Sequence, residues 1–159
     1  MDSAYTVETA KIVGSPADGF WSQIHTFFPQ DDLKKEKRGI LLAVLVVSGV
    51  EEGIEAVAQG REILGRLHEE YYGETEQTAF EKLSEAVRKV GIENDGSTII
   101  AASLLKNVLN LAIFGRGKII LKRKNKIGII LQGAPQKLHT GSGYLEESDL
   151  ILLGSDRFF

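Results

Sequence analysis

The sequence predicts an α+β fold in which two antiparallel β-sheets form a sandwich flanked by helices, with one helix pair present. Three observations lead there. Strand-like runs stand before and after two consecutive amphipathic helical stripes. The later runs follow one another so closely that hairpins must join them, which argues against a doubly wound parallel sheet. The chain has 159 residues, 43% of them apolar and 26% charged, enough for one packed core. A single domain over residues 1–159 is expected.

The elements follow in order. Tyr5, Val7, Ala10 and Ile12, then Phe20, Ile24 and Phe27, alternate loosely on either side of Gly14-Ser15-Pro16. This predicts two strands of a hairpin. Asp31 to Gly39 reads as a charged loop. Ile40 to Val47 is continuously apolar and rich in branched side chains, as a central strand buried on both faces would be. At eight residues it is far short of the ~20 that cross a bilayer as a helix, so no membrane segment is expected in this chain.

Beyond it, Ile54, Val57, Ala58, Leu64, Leu67 and Tyr71 recur at helical spacing, with glutamates largely between them. The spacing predicts a helix over Glu51 to Tyr72. Phe80, Leu83, Val87 and Val90 predict a second over Thr75 to Val90, with Thr78 and Glu81 as a capping box and Gly91 as the stop. Thr98 to Leu105, Val108 to Phe114, Lys118 to Arg123, Ile127 to Leu131 and Leu150 to Leu153 are short, β-rich and separated by turns. They predict an antiparallel meander.

Composition excludes several chemistries. Without cysteine there is no disulfide framework, thiolate zinc site, iron–sulfur ligation or cysteine nucleophile, which leaves the compartment open while fitting a reducing cytoplasm. Met1 to Gly14 lacks the basic-then-apolar layout of a secretory signal. A net charge of −3 demands no polyanionic partner. The charge is nevertheless uneven, since Gly96 to Leu145 contains eight bases and no acid. Lys122, Arg123, Lys124 and Lys126 at a hairpin tip form a candidate anion-binding face, against the plainer reading of a solvated edge that discourages sheet pairing. His25, His68 and His139 fall on a strand, a helix and a loop, and read as surface or packing residues. Phe20, Trp21, Phe27, Phe28, Phe158 and Phe159 are too many aromatics to be all exposed, so most are expected in the core.

Asp95-Gly96-Ser97-Thr98, the turn Gly115-Arg116-Gly117-Lys118, and Ser148-Asp149-Leu150-Ile151-Leu152-Leu153-Gly154-Ser155-Asp156 follow one another in an order that resembles the metal-dependent protein phosphatases of the PPM type, also called type 2C. In that family a Gly-Thr/Ser-Thr start opens a strand, and a hydrophobic strand ends in Ser-Asp-Gly, whose Asp binds a catalytic metal. The resemblance covers most of the chain and implies the same sandwich. It places Asp156 on a metal-binding Asp, and Asp18, in Pro16-Ala17-Asp18-Gly19-Phe20, on the Asp of an earlier metal motif. The departures matter for function. Where the family has Asp-Gly-His/Met-Gly-Gly after its central strand, this chain has Ser48-Gly49-Val50-Glu51-Glu52, so the metal-bridging Asp is Ser48, a degenerate metal position. A neutral hydroxyl does not hold two divalent cations together. The Gly of Ser-Asp-Gly is Arg157, and the family's last strand with its Asp-Asn motif would lie beyond Phe159, as in a fragment of a longer protein.

Ser48-Gly49-Val50-Glu51 also has the form of a capping box between a buried strand and a helix, which explains Ser48 without metal. Asp18 and Asp156 have ordinary readings too, as a turn residue and a cap. Three functions compete. The first is a degenerate phosphatase-like domain, non-catalytic, that binds a protein or phosphorylated ligand. The second is a Ser/Thr phosphatase with an altered site holding Mg²⁺ or Mn²⁺, the ions a functional site would need; otherwise no cofactor is expected. The third is an acidic-partner or nucleic-acid module using the basic hairpin, ranked last because no aromatic platform interleaves with those bases.

Overall fold

The computed structural model describes residues 5–14, 19–49 and 53–159. Its elements in chain order are β1 (Phe20–Phe27), α1 (Asp32–Lys37), β2 (Ile40–Ser48), α2 (Gly53–Tyr72), α3 (Ala79–Glu93), β3 (Thr98–Leu105), β4 (Val108–Phe114), β5 (Gly117–Arg123), β6 (Lys126–Gln132), β7 (Leu138–Tyr144) and β8 (Leu150–Ser155). They form one five-stranded sheet in the order β1-β2-β3-β4-β7 and one three-stranded sheet in the order β6-β5-β8, every neighbour antiparallel.

Alternation explains the layering. On β2, Leu41, Ala43, Leu45 and Val47 pack with Ile63, Leu64 and Leu67 of α2 and Leu83, Val87 and Val90 of α3, while Val44 belongs to a second cluster between the sheets. That second cluster joins Ile100, Leu111 and Ile113 to Ile119, Leu131, Ile151 and Leu153 of the smaller sheet. The layers are therefore helix pair, large sheet, small sheet. Leu41, Leu45, Leu67, Leu83 and Ile99 are fully buried, each worth ~1.5–3 kcal/mol relative to exposure. The expected central strand and the helix pair on one outer face are both present.

The structure corrects several boundaries. Residues 5–14 form no strand: Ile12 and Val13 are exposed, so their alternation has no apolar face to cover, and β1 is an edge strand. The charged loop holds a short helix, α1, whose N-cap Asp31 accepts from Lys34 N at 3.0 Å. At its end Gly39 has φ +71, and a Cβ there would lie 2.0 Å from Leu104 O. Thr78 is the N-cap of α3, with Glu81 closing the box, and Gly91 lies inside that helix. Sequence reasoning missed β7, which places His139 on a strand. The meander is split between sheets, because the chain crosses from β4 to β5 at Gly115-Arg116. Of the six aromatics, Trp21 and Phe27 pack on the core, while Phe28, Phe158 and Phe159 are exposed.

Arg38 anchors the helix pair to β2. Its guanidinium donates to the carbonyls of Tyr71, Gln77, Lys37 and Thr75, and Tyr72 Oη donates back to Gly39 O at 2.7 Å. A planar five-donor group suits carbonyls drawn from the end of α1, the end of α2 and the turn before α3.

Candidate functional site

The ends of β2, β4 and β8 and the starts of β3 and β5 meet at one end of the sandwich, and the motif residues gather there. Ser48 closes β2 opposite Phe20. Its Oγ donates to Gly96 O at 2.7 Å, tying the central strand to the turn before β3. In the neighbouring turn Arg116 N donates to Thr98 Oγ1 at 3.3 Å. Gly115, at φ +97, brings its Cα so close to Thr98 that a Cβ would lie 2.6 Å from that hydroxyl oxygen. The Gly-Ser-Thr start and the Gly-Arg-Gly turn are thus in contact. Gly117 pairs with Ser155, so Asp156 and Arg157 leave β8 at this same end. The guanidinium of Arg157 lies 3.7 Å above the ring of Phe20.

An open cleft of about 590 Å³ lies beside these contacts, lined by Phe20, Asp95, Ser97, Thr98, Arg116 and Gln136 among others. Asp95 and Gln136 are 3.5 Å apart across it. Nothing in the sequence singles out Arg116; its place on the cleft follows from the β3–β4 register, which sequence periodicity does not supply.

Of the residues singled out in the sequence, Asp18 lies outside the described residues, as does Glu51, the second half of the expected Ser48 capping box. Asp156 is exposed and has no group of further acids or histidines around it: among the described residues no cluster of three or more His, Asp or Glu is placed to hold a metal ion. Lys122, Arg123, Lys124 and Lys126 sit at the far end of β5, some ~20 Å from Gly117 at the usual strand rise. Arg123 is matched there by Asp149, at 2.6 Å, and by Glu146, at 3.1 Å. That pairing holds the Asp149 carboxyl below the usual carboxylate range, chiefly through the Arg123 hydrogen bonds.

The histidines are not all scattered. His25 Nε2 and His68 Nδ1 are 3.2 Å apart, linking edge strand β1 to α2, with Phe27 edge-on to the His68 ring and Tyr72 tilted against it. Forty-three positions separate the two rings in sequence, and no local pattern signals their meeting.

No family model matches the chain, and no curated protein sequence matches it. Solved structures share its fold. The S. agalactiae serine/threonine phosphatase superposes with a TM-score of 0.61 at 13% identity, over 92% of this chain and 76% of that one. The PP2C phosphatase domain of SpoIIE from Bacillus subtilis, solved with a fragment of its regulatory domain, gives 0.59 at 14% identity, over 85% of this chain and 41% of that one. RsbX, solved in complex with magnesium, gives 0.54 at 12% identity, over 91% and 78%. This chain therefore spans less than half of the SpoIIE chain and about three quarters of the other two. Its fold is that of a PPM-type phosphatase domain. No helix among the described residues is long and apolar enough to cross a membrane.

Proposed function

We propose that this chain, read as one domain over residues 1–159, is a phosphatase-like domain that does not hydrolyse phosphoesters and instead binds a protein or phosphorylated ligand at the cleft end of the sandwich. The observation that carries this reading is the bond from Ser48 Oγ to Gly96 O. At the position where a metal pair needs a bridging carboxylate, the chain has a neutral hydroxyl whose proton is already engaged by a backbone carbonyl. A divalent cation asks for several convergent anionic oxygens. Among the described residues the site offers Asp156 next to Arg157, and Asp95 with Arg116 on the adjoining cleft, with no group of three acids or histidines brought together, and this donor set does not fit Mg²⁺ or Mn²⁺. It suits an anion better. A guanidinium on a half-open cleft pairs with phosphate or carboxylate oxygens through charge-assisted hydrogen bonds, and the cleft is wide enough for a phosphorylated side chain with its neighbours. A cytoplasmic setting belongs to the same reading, given the absence of cysteine.

The second reading, a phosphatase with an altered metal site, has one observation in its favour: Asp156 is retained on a fold that RsbX shares and in which RsbX is solved with magnesium. Hydrolysis separates the two. With millimolar Mn²⁺, release of p-nitrophenol from p-nitrophenyl phosphate should equal that of Asp156→Ala, and a phosphoserine peptide should bind more weakly to Arg116→Ala than to the unaltered chain. Metal-dependent turnover that disappears in Asp156→Ala would establish the altered-site enzyme instead.

A further inference from the structure

His25, on edge strand β1, and His68, near the C-terminal end of α2, turn ring nitrogens toward each other, with Nε2 of the first 3.2 Å from Nδ1 of the second. Two neutral imidazoles meet that distance with a single N–H···N hydrogen bond. It is also the bite of a metal ion. Two Zn–N bonds of ~2.0–2.1 Å at a tetrahedral angle set their nitrogens ~3.3 Å apart. The pair therefore needs hardly any movement to hold one ion between its rings.

The surroundings decide which ion and how tightly. Imidazole nitrogen favours Zn²⁺, Cu²⁺ and Ni²⁺ over the hard ions Mg²⁺ and Mn²⁺. Burial holds both rings below the ordinary value of 6.5, so near pH 7.5 both are neutral and carry lone pairs. The His68 ring is braced, with the centroid of Phe27 4.4 Å away and that of Tyr72 4.8 Å away. Both histidines are half-buried, which leaves water able to supply the remaining ligands. Lys11 at His25 and Lys34 at His68 oppose a cation, while Glu69 at His68 favours one. Two protein ligands in that field suit micromolar affinity, short of what a closed four-ligand site reaches.

We propose that His25 Nε2 and His68 Nδ1 form a two-histidine site for a borderline first-row ion such as Zn²⁺, completed by water, which pins edge strand β1 to α2. His25 pairs with Ala43, five residues along β2 from Ser48, so this site is separate from the cleft end and does not depend on the reading of it. On binding, the ring that donates the hydrogen bond moves its proton to its other nitrogen, and none leaves the pair.

The probe is zinc chloride added to the full chain, ¹⁵N-labelled at histidine, at pH 7.5, read by ring-nitrogen NMR and by thermal melting. Zinc should shift His25 Nε2 and His68 Nδ1 together and leave His139 unmoved, and ~0.5 mM should raise the melting temperature by several degrees. Magnesium or manganese chloride at the same concentration should do neither. His25→Gln and His68→Gln should each weaken binding at least ten-fold, and His139→Gln should not. If either variant fails to fold, the ring-nitrogen shifts of the unaltered chain decide the matter alone. Zinc that moves neither nitrogen, that binds both variants as tightly as the unaltered chain, or that is lost in Asp156→Ala instead overturns the proposal and leaves the pair a hydrogen bond only.

Discussion

The hydroxyl of Ser48 donates to the carbonyl of Gly96 at 2.7 Å, across 48 positions of sequence, and fastens the end of the central strand to the turn that begins β3. Ser48→Ala should therefore lower stability by about 1 kcal/mol in urea unfolding. Ser48→Asp distinguishes this tie from a helix cap. Aspartate is as good a cap as serine, but it cannot donate, and it sets a carboxylate against a carbonyl. Its unfolding midpoint should fall at least as far as that of Ser48→Ala; an Asp variant as stable as the unaltered chain would assign the residue to capping.

The His25–His68 pair makes stability depend on pH in the range where few other groups titrate. Both rings are held below the ordinary value of 6.5. Partial burial is the main cause, followed for His25 by His68 and Lys11, and for His68 by Lys34, with Glu69 opposing. Each ring binds a proton more readily unfolded than folded, so stability is full above about pH 6.5 and falls as pH drops from there toward the lowered native values. The melting temperature should decline between pH 7.5 and 5.5. In His25→Gln/His68→Gln that decline should be clearly smaller, and an equal decline would show that other groups cause it.

Two glycines on the helices should respond in opposite directions to alanine. Gly65 has nothing within 4 Å of a built Cβ, so Gly65→Ala should stabilise by about 0.5–1 kcal/mol through helix propensity. Gly91 presses on the ring of Phe114, where a Cβ would come within 2.4 Å of Cγ. Phe114 belongs to the core cluster, and the atom met is its ring Cγ, next to the β4 backbone and not the far end of a side chain that could swing away. Gly91→Ala should lose about 1–2 kcal/mol despite the same propensity gain, as thermal melts of the two variants would show.

These contacts also show what the sequence could reveal. β2 was legible because Ile40 to Val47 is apolar without interruption, and α3 because Phe80, Leu83, Val87 and Val90 keep one face while Thr78 and Glu81 mark its start. α1 was not, since Asp32–Lys37 buries nothing and leaves no stripe. β7 reads Leu-His-Thr-Gly-Ser-Gly-Tyr, with two glycines and little apolar surface, and it is held by pairing with β4. The predicted strand at Tyr5 to Ile12 failed for the converse reason: alternation was present, but no core lay under it. At the site, the departures at Ser48 and Arg157 could be read directly. Their contacts with Gly96 and Phe20 could not, because both depend on strand register.

Arg38 should prove one of the least replaceable side chains. It is 5% exposed and donates to four carbonyls, among them Tyr71 O at 3.2 Å and Gln77 O at 3.1 Å. Arg38→Met fills much of the space but strips those carbonyls of their donor, at a cost of about 3 kcal/mol. Arg38→Lys keeps the charge on a single nitrogen that cannot reach carbonyls on opposite sides of a planar fork. It should recover less than half of the loss in chemical denaturation, whereas recovery of most of it would mean that charge alone is what the position requires.

Metal linkage gives the last test, and it is independent of turnover. A ligand that binds only the folded chain raises its stability by RT ln(1 + [L]/Kd), about 2.7 kcal/mol when the concentration is one hundred times Kd. A working divalent site with a Kd near ~10 µM would thus move the melting temperature by several degrees at ~1 mM Mn²⁺. With Ser48 engaged by Gly96 and Arg157 beside Asp156, the expected shift is below ~1 °C, and Asp156→Asn should leave it unchanged. Ser48→Asp alone should not create a shift either. It restores one carboxylate to an end of the sandwich where Arg157 still lies over Phe20 and Arg116 still lines the cleft, so the added acid is more readily satisfied by a guanidinium than by a cation from solution. A shift of several degrees in the unaltered chain that Asp156→Asn removes would show a real metal site and return the domain to the enzymes.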